Sequence, residues 1–194
     1  MPANPADYPI QLFADQTAWA AWLQQHHATE PGIWLRLAKA ASELQSINHA
    51  EALHVALRYG WIDGQAKKLD DDSWLQKFTP RGKRSVWSRR NVDLVERLIA
   101  GGEMHPAGMA AVEAAKRDGR WERAYDSPGS ATVPPDLQAA LDQNPDAQAF
   151  FETLSSRNRF AILYRIQTAI RPETRTRRIA EFVRKLKSRE TLYP

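Results

Sequence analysis

The chain has 194 residues, of which 43% are apolar and 26% charged, with 7 tryptophans, no cysteine and a formal net charge of +4. This size and apolar content fit one folded domain, or one domain with a small helical addition, and exclude a disordered chain. The lack of cysteine excludes disulfides, thiolate metal sites and a cysteine nucleophile.

The amino-terminal stretch Met1 to Pro9 has neither the basic start nor the apolar segment of a secretory signal. No apolar run approaches the roughly 20 residues that span a bilayer. The expectation is a cytoplasmic protein. Asp15 is placed to cap a helix whose Trp19, Trp22, Leu23 and His26 recur at i, i+3, i+4, i+7. Pro31-Gly32 ends it. In Gly32 to Lys39 the residues Ile33, Leu35 and Leu37 alternate, which predicts a strand. Asn48 and Glu51 have capping-box spacing, and the helix they open stops at Gly60.

Trp61 to Lys67 and Ser73 to Thr79 read as two strands joined through Asp70, Asp71 and Asp72, a hairpin. Ser88 is placed to cap a helix with Val92, Val95, Leu98 and Ile99 on one stripe, ended by Gly101-Gly102. Pro106 suits the start of another helix, which stops at Gly119. Asp126 to Val133 is rich in turn formers and reads as a linker. Pro135 and Pro145 suit two more helix starts, and Ser155 a cap for a third. Pro172 separates that helix from a last one with Ile179, Phe182, Val183 and Leu186 on one stripe.

The predicted fold class is α+β: a small, mainly antiparallel sheet of about three strands with flanking helices and a helical C-terminal half. The expected organisation is an α+β domain over 1–125, a linker over 126–133, and a helical region over 134–194 packed on the first domain. Most of the tryptophans are expected in the core, because large rings can build a small one.

Charge is segregated along the chain. Residues 1–64 carry 3 basic and 6 acidic side chains, 65–90 carry 8 and 3, 91–149 carry 5 and 10, and 150–194 carry 11 and 4. Two basic blocks favour anionic partners, although a basic run is also an ordinary solvated face. The first block centres on Phe78 to Asn91, where Arg81, Lys83, Arg84, Arg89 and Arg90 surround Trp87. A helix N-terminus there would add free N–H groups and the positive end of the helix dipole.

Four segments resemble the bacteriocin-protection, YdeI/OmpD-associated family. They are Ala56-Leu-Arg-Tyr-Gly-Trp-Ile-Asp-Gly64, Phe78-Thr-Pro-Arg81 with Ser85-Val-Trp-Ser-Arg-Arg-Asn91, Gly102-Glu-Met-His-Pro-Ala-Gly108, and Arg171-Pro-Glu-Thr-Arg-Thr-Arg-Arg-Ile179. The resemblance extends over roughly residues 10–190. It departs at Ile170, where a basic residue is expected. What it implies is a part in envelope stress and in resistance to bacteriocins or cationic peptides; it carries no catalytic residues with it.

The candidate ligand-binding set is Arg81, Lys83, Arg84, Trp87, Ser88, Arg89, Asn91 and Asp63. Each has a structural alternative. Trp87 can staple the helix to the core, Ser88 and Asn91 can be a local cap, and Asp63 can pair with an arginine or form a turn. The carboxylates Asp70, Asp71 and Asp72 are candidate partners for the loop's cations. His26, His27, His49, His54 and His105 match no metal-ligand spacing, and no dinucleotide, Walker or nucleophile-elbow motif is present. No cofactor is expected. The sequence therefore supports a non-enzymatic protection protein that binds an anionic small molecule or acidic protein surface. The alternatives are a nucleic-acid binder using both basic blocks and an enzyme with Asp63 or His54 beside the basic loop.

Overall fold

The structure, a computed structural model, describes residues 8–194. The reading of Met1 to Asp7 as lacking a signal lies outside the described residues. In chain order the elements are β1 (Ile10–Gln11), α1 (Gln16–His26), β2 (Ile33–Ala38), α2 (His49–Arg58), β3 (Trp61–Lys68), β4 (Ser73–Pro80), α3 (Arg89–Ala100), α4 (Pro106–Arg117), α5 (Pro135–Asp142), α6 (Pro145–Thr153), α7 (Ser156–Gln167) and α8 (Pro172–Lys187). The fold is α+β with a helical C-terminal half. The described chain forms two units, one of residues 8–85 and 93–119, the other of residues 86–92 and 120–194.

The first unit is built on a four-stranded sheet of order β1-β2-β4-β3. It has one strand more than the approximate three expected. The addition is β1, whose Ile10 and Gln11 pair in parallel with Trp34 and Leu35. The β2–β4 and β3–β4 pairs are antiparallel. A bulge interrupts β3 between Asp63 and Ala66. Helices α1 and α2 cover the sheet because their apolar stripes match it. Trp19, Leu23, Leu53 and Leu57 are buried with Ile33, Leu35, Trp61, Leu75 and Phe78. Trp19 is the hub: its ring lies 5.1 Å from Phe13, 5.3 Å from Trp22, 6.4 Å from Trp61 and 5.8 Å from Phe78. Its indole N–H donates to the Ala52 carbonyl, so burial leaves no donor unpaired.

The helix ends follow local chemistry. Asp15 accepts from the Ala18 amide at 2.9 Å. Asn48 and Glu51 form a reciprocal capping box. Gly60, Gly102 and Gly119 have φ of 74°, 68° and 72°, and each follows a helix; this left-handed conformation costs glycine no Cβ clash. Gly60 also lies where α2 meets α4.

In the second unit α5 to α8 enclose one core of Leu137, Leu141, Ala147, Phe151, Ile162, Leu163, Ile166 and the α8 stripe Ile179, Phe182, Val183 and Leu186. Burial of each of its Leu, Ile, Val and Phe side chains is worth about 1.5–3 kcal/mol. Trp87 and Trp121 form a separate contact in this unit, 4.8 Å apart and edge to face.

Candidate functional site

The strand β4 ends at Pro80, and the Arg81 amide donates to the Gly60 carbonyl at 2.9 Å. The next residues form a tight turn: the Gly82 amide donates to Ser85 Oγ at 2.9 Å, and the Ser85 amide to the Gly82 carbonyl at 3.0 Å. This turn leaves Lys83 and Arg84 exposed, while Arg81 is half-buried.

Residues 87–89 then pair with Tyr125. The Tyr125 amide donates to the Trp87 carbonyl at 2.9 Å, and the Arg89 amide to the Tyr125 carbonyl at 2.7 Å. Trp87 is only 2% exposed and Asn91 9%. Ser88 Oγ accepts from the Asn91 amide at 3.2 Å. Trp87, Ser88 and Asn91 therefore anchor and cap the start of α3. The Arg89 and Asn91 amides are engaged within the fold. Arg89 and Arg90 are exposed, and the first turn of α3 carries no acidic residue.

Two of the three aspartates of the hairpin turn, Asp70 and Asp71, have partners other than the loop's cations. The Asp70 carboxylate accepts from the Ser73 hydroxyl and amide at 2.7 Å each and from Arg36 at 2.9 Å. The Ser73 hydroxyl first, with the backbone amides and Arg36 after it, holds its pKa below the ordinary value against a smaller opposing effect of burial. Asp71 lies 3.4 Å from Lys68.

Asp63 pairs with a histidine. Its Oδ2 is 3.0 Å from His49 Nε2, and both side chains are about one-third exposed. The partner is a histidine, neither the arginine nor the turn offered as structural alternatives: His49 opens α2 and Asp63 lies on β3. At this distance the carboxylate can accept from a His49 Nε2–H and orient the ring. The rings near it, Trp74 at 6.1 Å and Phe78 at 6.4 Å, offer no nucleophile. The 14-residue separation of the two partners hid the pair from local sequence patterns.

Part of the second basic block is tied into its own unit. Arg175 makes a two-pronged ion pair with Asp136 at 2.6 and 2.8 Å and donates to the Ile166 carbonyl. That bond lowers the Asp136 pKa and raises that of Arg175. Arg178 donates to the Arg165 carbonyl. Lys185 pairs with Glu181 at 3.3 Å and Arg184 with Glu190 at 3.9 Å. Among the described residues no group of three or more His, Asp or Glu side chains is placed to hold a metal ion, and no helix is long and apolar enough to cross a membrane.

Two family models match the chain. Residues 11–111 match a domain of unknown function, DUF8412. Residues 130–189 match the family described as bacteriocin-protection, YdeI or OmpD-associated. Of the four resembling segments, Arg171 to Ile179 lies in the second match and the others lie in the first. No curated protein and no solved structure is significantly similar to the chain. The second description fits a bacteriocin-protection or stress-resistance role in general. The first match spans just over half of the chain, so the chain belongs to the DUF8412 family, and its residues 130–189 are similar to the bacteriocin-protection, YdeI or OmpD-associated family.

Proposed function

We propose that the protein is a non-enzymatic, cytoplasmic protection protein that binds an anionic ligand or an acidic protein surface through the cations of residues 81–90. The observation that carries this reading is the turn at Gly82 to Ser85. It holds Lys83 and Arg84 in solvent, directly ahead in sequence of exposed Arg89 and Arg90 in a helix turn without an acidic residue. Cations at a helix start oppose the dipole by about 0.3–1 kcal/mol each at a surface site, and a bound anion relieves that repulsion. The same charge repels a cationic peptide. Protection through an acidic partner is therefore favoured over direct capture of such a peptide on this surface.

Trp87, Ser88 and Asn91 serve this reading as scaffold. In the nucleic-acid reading the second block would act through exposed Arg171, Arg177, Lys187 and Arg189, since Arg175, Arg178, Arg184 and Lys185 are engaged by neighbours. The enzymatic reading, a site at Asp63 or His54 beside the basic loop, has less support, because the Asp63 carboxylate is paired with His49.

An amide NMR titration of the full chain with inorganic pyrophosphate tests the proposal. The largest shift changes are expected at Gly82 to Arg90. Replacing Lys83, Arg84, Arg89 and Arg90 together by Ala is expected to weaken binding by about tenfold or more. Shift changes that avoid these amides, or an affinity unchanged by the four replacements, would defeat the reading.

A further inference from the structure

A cavity of about 540 Å³ opens on one face of α7 in the second unit. Arg157, Phe160, Tyr164 and Arg165 line it because helical spacing brings these positions to one side. Tyr193, from the segment after α8, forms the facing wall.

That wall is fixed by a buried polar clamp. Asn158, 5% exposed, accepts from the Leu192 and Tyr193 amides at 3.0 and 2.9 Å. Its Nδ2 donates to the Tyr193 carbonyl at 3.1 Å and to Ser155 Oγ at 3.3 Å. Both ends of the amide are thus used to hold one aromatic residue over the helix. The Arg157 guanidinium lies 4.3 Å from the centre of the Tyr193 ring and that of Arg165 lies 5.9 Å away. Tyr125 braces Tyr164 edge to face at 4.8 Å.

The charge of the cavity is unbalanced. No acidic residue lines it. Among the described residues neither Arg157 nor Arg165 has a carboxylate partner, and α7 contains three arginines and no acidic residue. Flat aromatic walls offer stacking for a planar ring. Guanidinium forks match phosphate and carboxylate oxygens in pairs. The volume falls within the about 300–1,000 Å³ typical of small-molecule sites.

We propose that this cavity binds a small planar aromatic ring that carries a phosphate or a carboxylate. The ring stacks among Phe160, Tyr164 and Tyr193, and the acid group is held by Arg157 and Arg165. The site is independent of the basic loop, so either proposal can stand without the other.

Isothermal titration of the full chain with adenosine monophosphate, 4-hydroxybenzoate, adenosine and inorganic phosphate tests it. One or both ring acids are expected to bind, and which of the two does so separates phosphate from carboxylate. Adenosine and phosphate alone are expected to bind at least about tenfold more weakly, since each supplies half of the contacts. Arg157→Ala, at an exposed position, and Tyr193→Ala are each expected to weaken the ring acid by about tenfold. Arg157→Lys, which keeps the charge and loses the fork, is expected to restore only part of the affinity, and Lys83→Ala to change nothing. Failure of both ring acids to bind, equal binding of adenosine alone, or an affinity indifferent to Arg157→Ala would overturn the assignment.

Discussion

His105 caps α4 through its ring: Nδ1 accepts from the Ala107 amide at 3.2 Å, which requires that nitrogen to be unprotonated. The ring also stacks on Tyr59 at 4.9 Å and meets His27 at 4.7 Å. Burial first, and the neighbouring His27 second, push its pKa below the ordinary histidine value. A base with a depressed folded-state pKa binds fewer protons folded than unfolded. Its contribution to stability is therefore complete above the unfolded pKa of about 6.5 and falls as pH drops below that. Urea unfolding of the wild type is expected to show stability declining from about pH 7 to 5, and His105→Asn, which keeps an N-cap acceptor but does not titrate, to show a shallower decline. Equal slopes for the two proteins would show that His105 does not carry the effect. The depressed Asp136 carboxylate acts in the same direction at lower pH, because its contribution is present above the unfolded carboxylate range and is lost as it protonates.

Helices α2 and α4 meet at a glycine. A Cβ at Gly108 would lie 2.2 Å from the Arg58 carbonyl oxygen and 2.9 Å from its carbon, both backbone atoms that cannot swing aside. In an open helix Gly→Ala stabilises by about 0.5–1 kcal/mol. Here the overlap reverses the sign: Gly108→Ala is expected to lower the unfolding free energy by about 1–3 kcal/mol as the helices are forced apart. Thermal melts showing no loss would mean that α4 shifts freely.

Element boundaries of this kind were readable from the chain because their causes are local. Asp15, Asn48 with Glu51, Ser88 and Ser155 each bond an amide three residues ahead. Pro106, Pro135, Pro145 and Pro172 each stand at the start of a helix. Strand β1 was not readable: two residues show no period, and Ile10–Gln11 become a strand only by pairing with Trp34 and Leu35. The same holds for chemistry. Trp87 sits in a charged segment, yet its burial against Trp121 comes from 34 residues away. The His49–Asp63 pair and the Asn158–Tyr193 clamp likewise join different elements, and no motif spacing announces such pairs.

Across the whole molecule both basic blocks of the sequence keep exposed cations, with Arg157, Arg171, Arg177, Lys187 and Arg189 exposed in the C-terminal one. The C-terminal block spends Arg175, Arg178, Arg184 and Lys185 on partners within its unit. The first block keeps Lys83, Arg84, Arg89 and Arg90 exposed. Exposed charges of this sort contribute little to stability, with a surface ion pair worth about 0–1 kcal/mol, so their removal should leave the fold intact. That separation makes a cell-protection assay the most direct measurement. Cells sensitive to a bacteriocin or cationic antimicrobial peptide are supplied with the wild type, or with the protein carrying Lys83→Ala, Arg84→Ala, Arg89→Ala and Arg90→Ala, at matched levels and matched melting temperatures. The wild type is expected to raise survival and the fourfold variant to lose most of that gain. Equal protection by both proteins, or none by the wild type, would contradict a protective role exercised through these four cations.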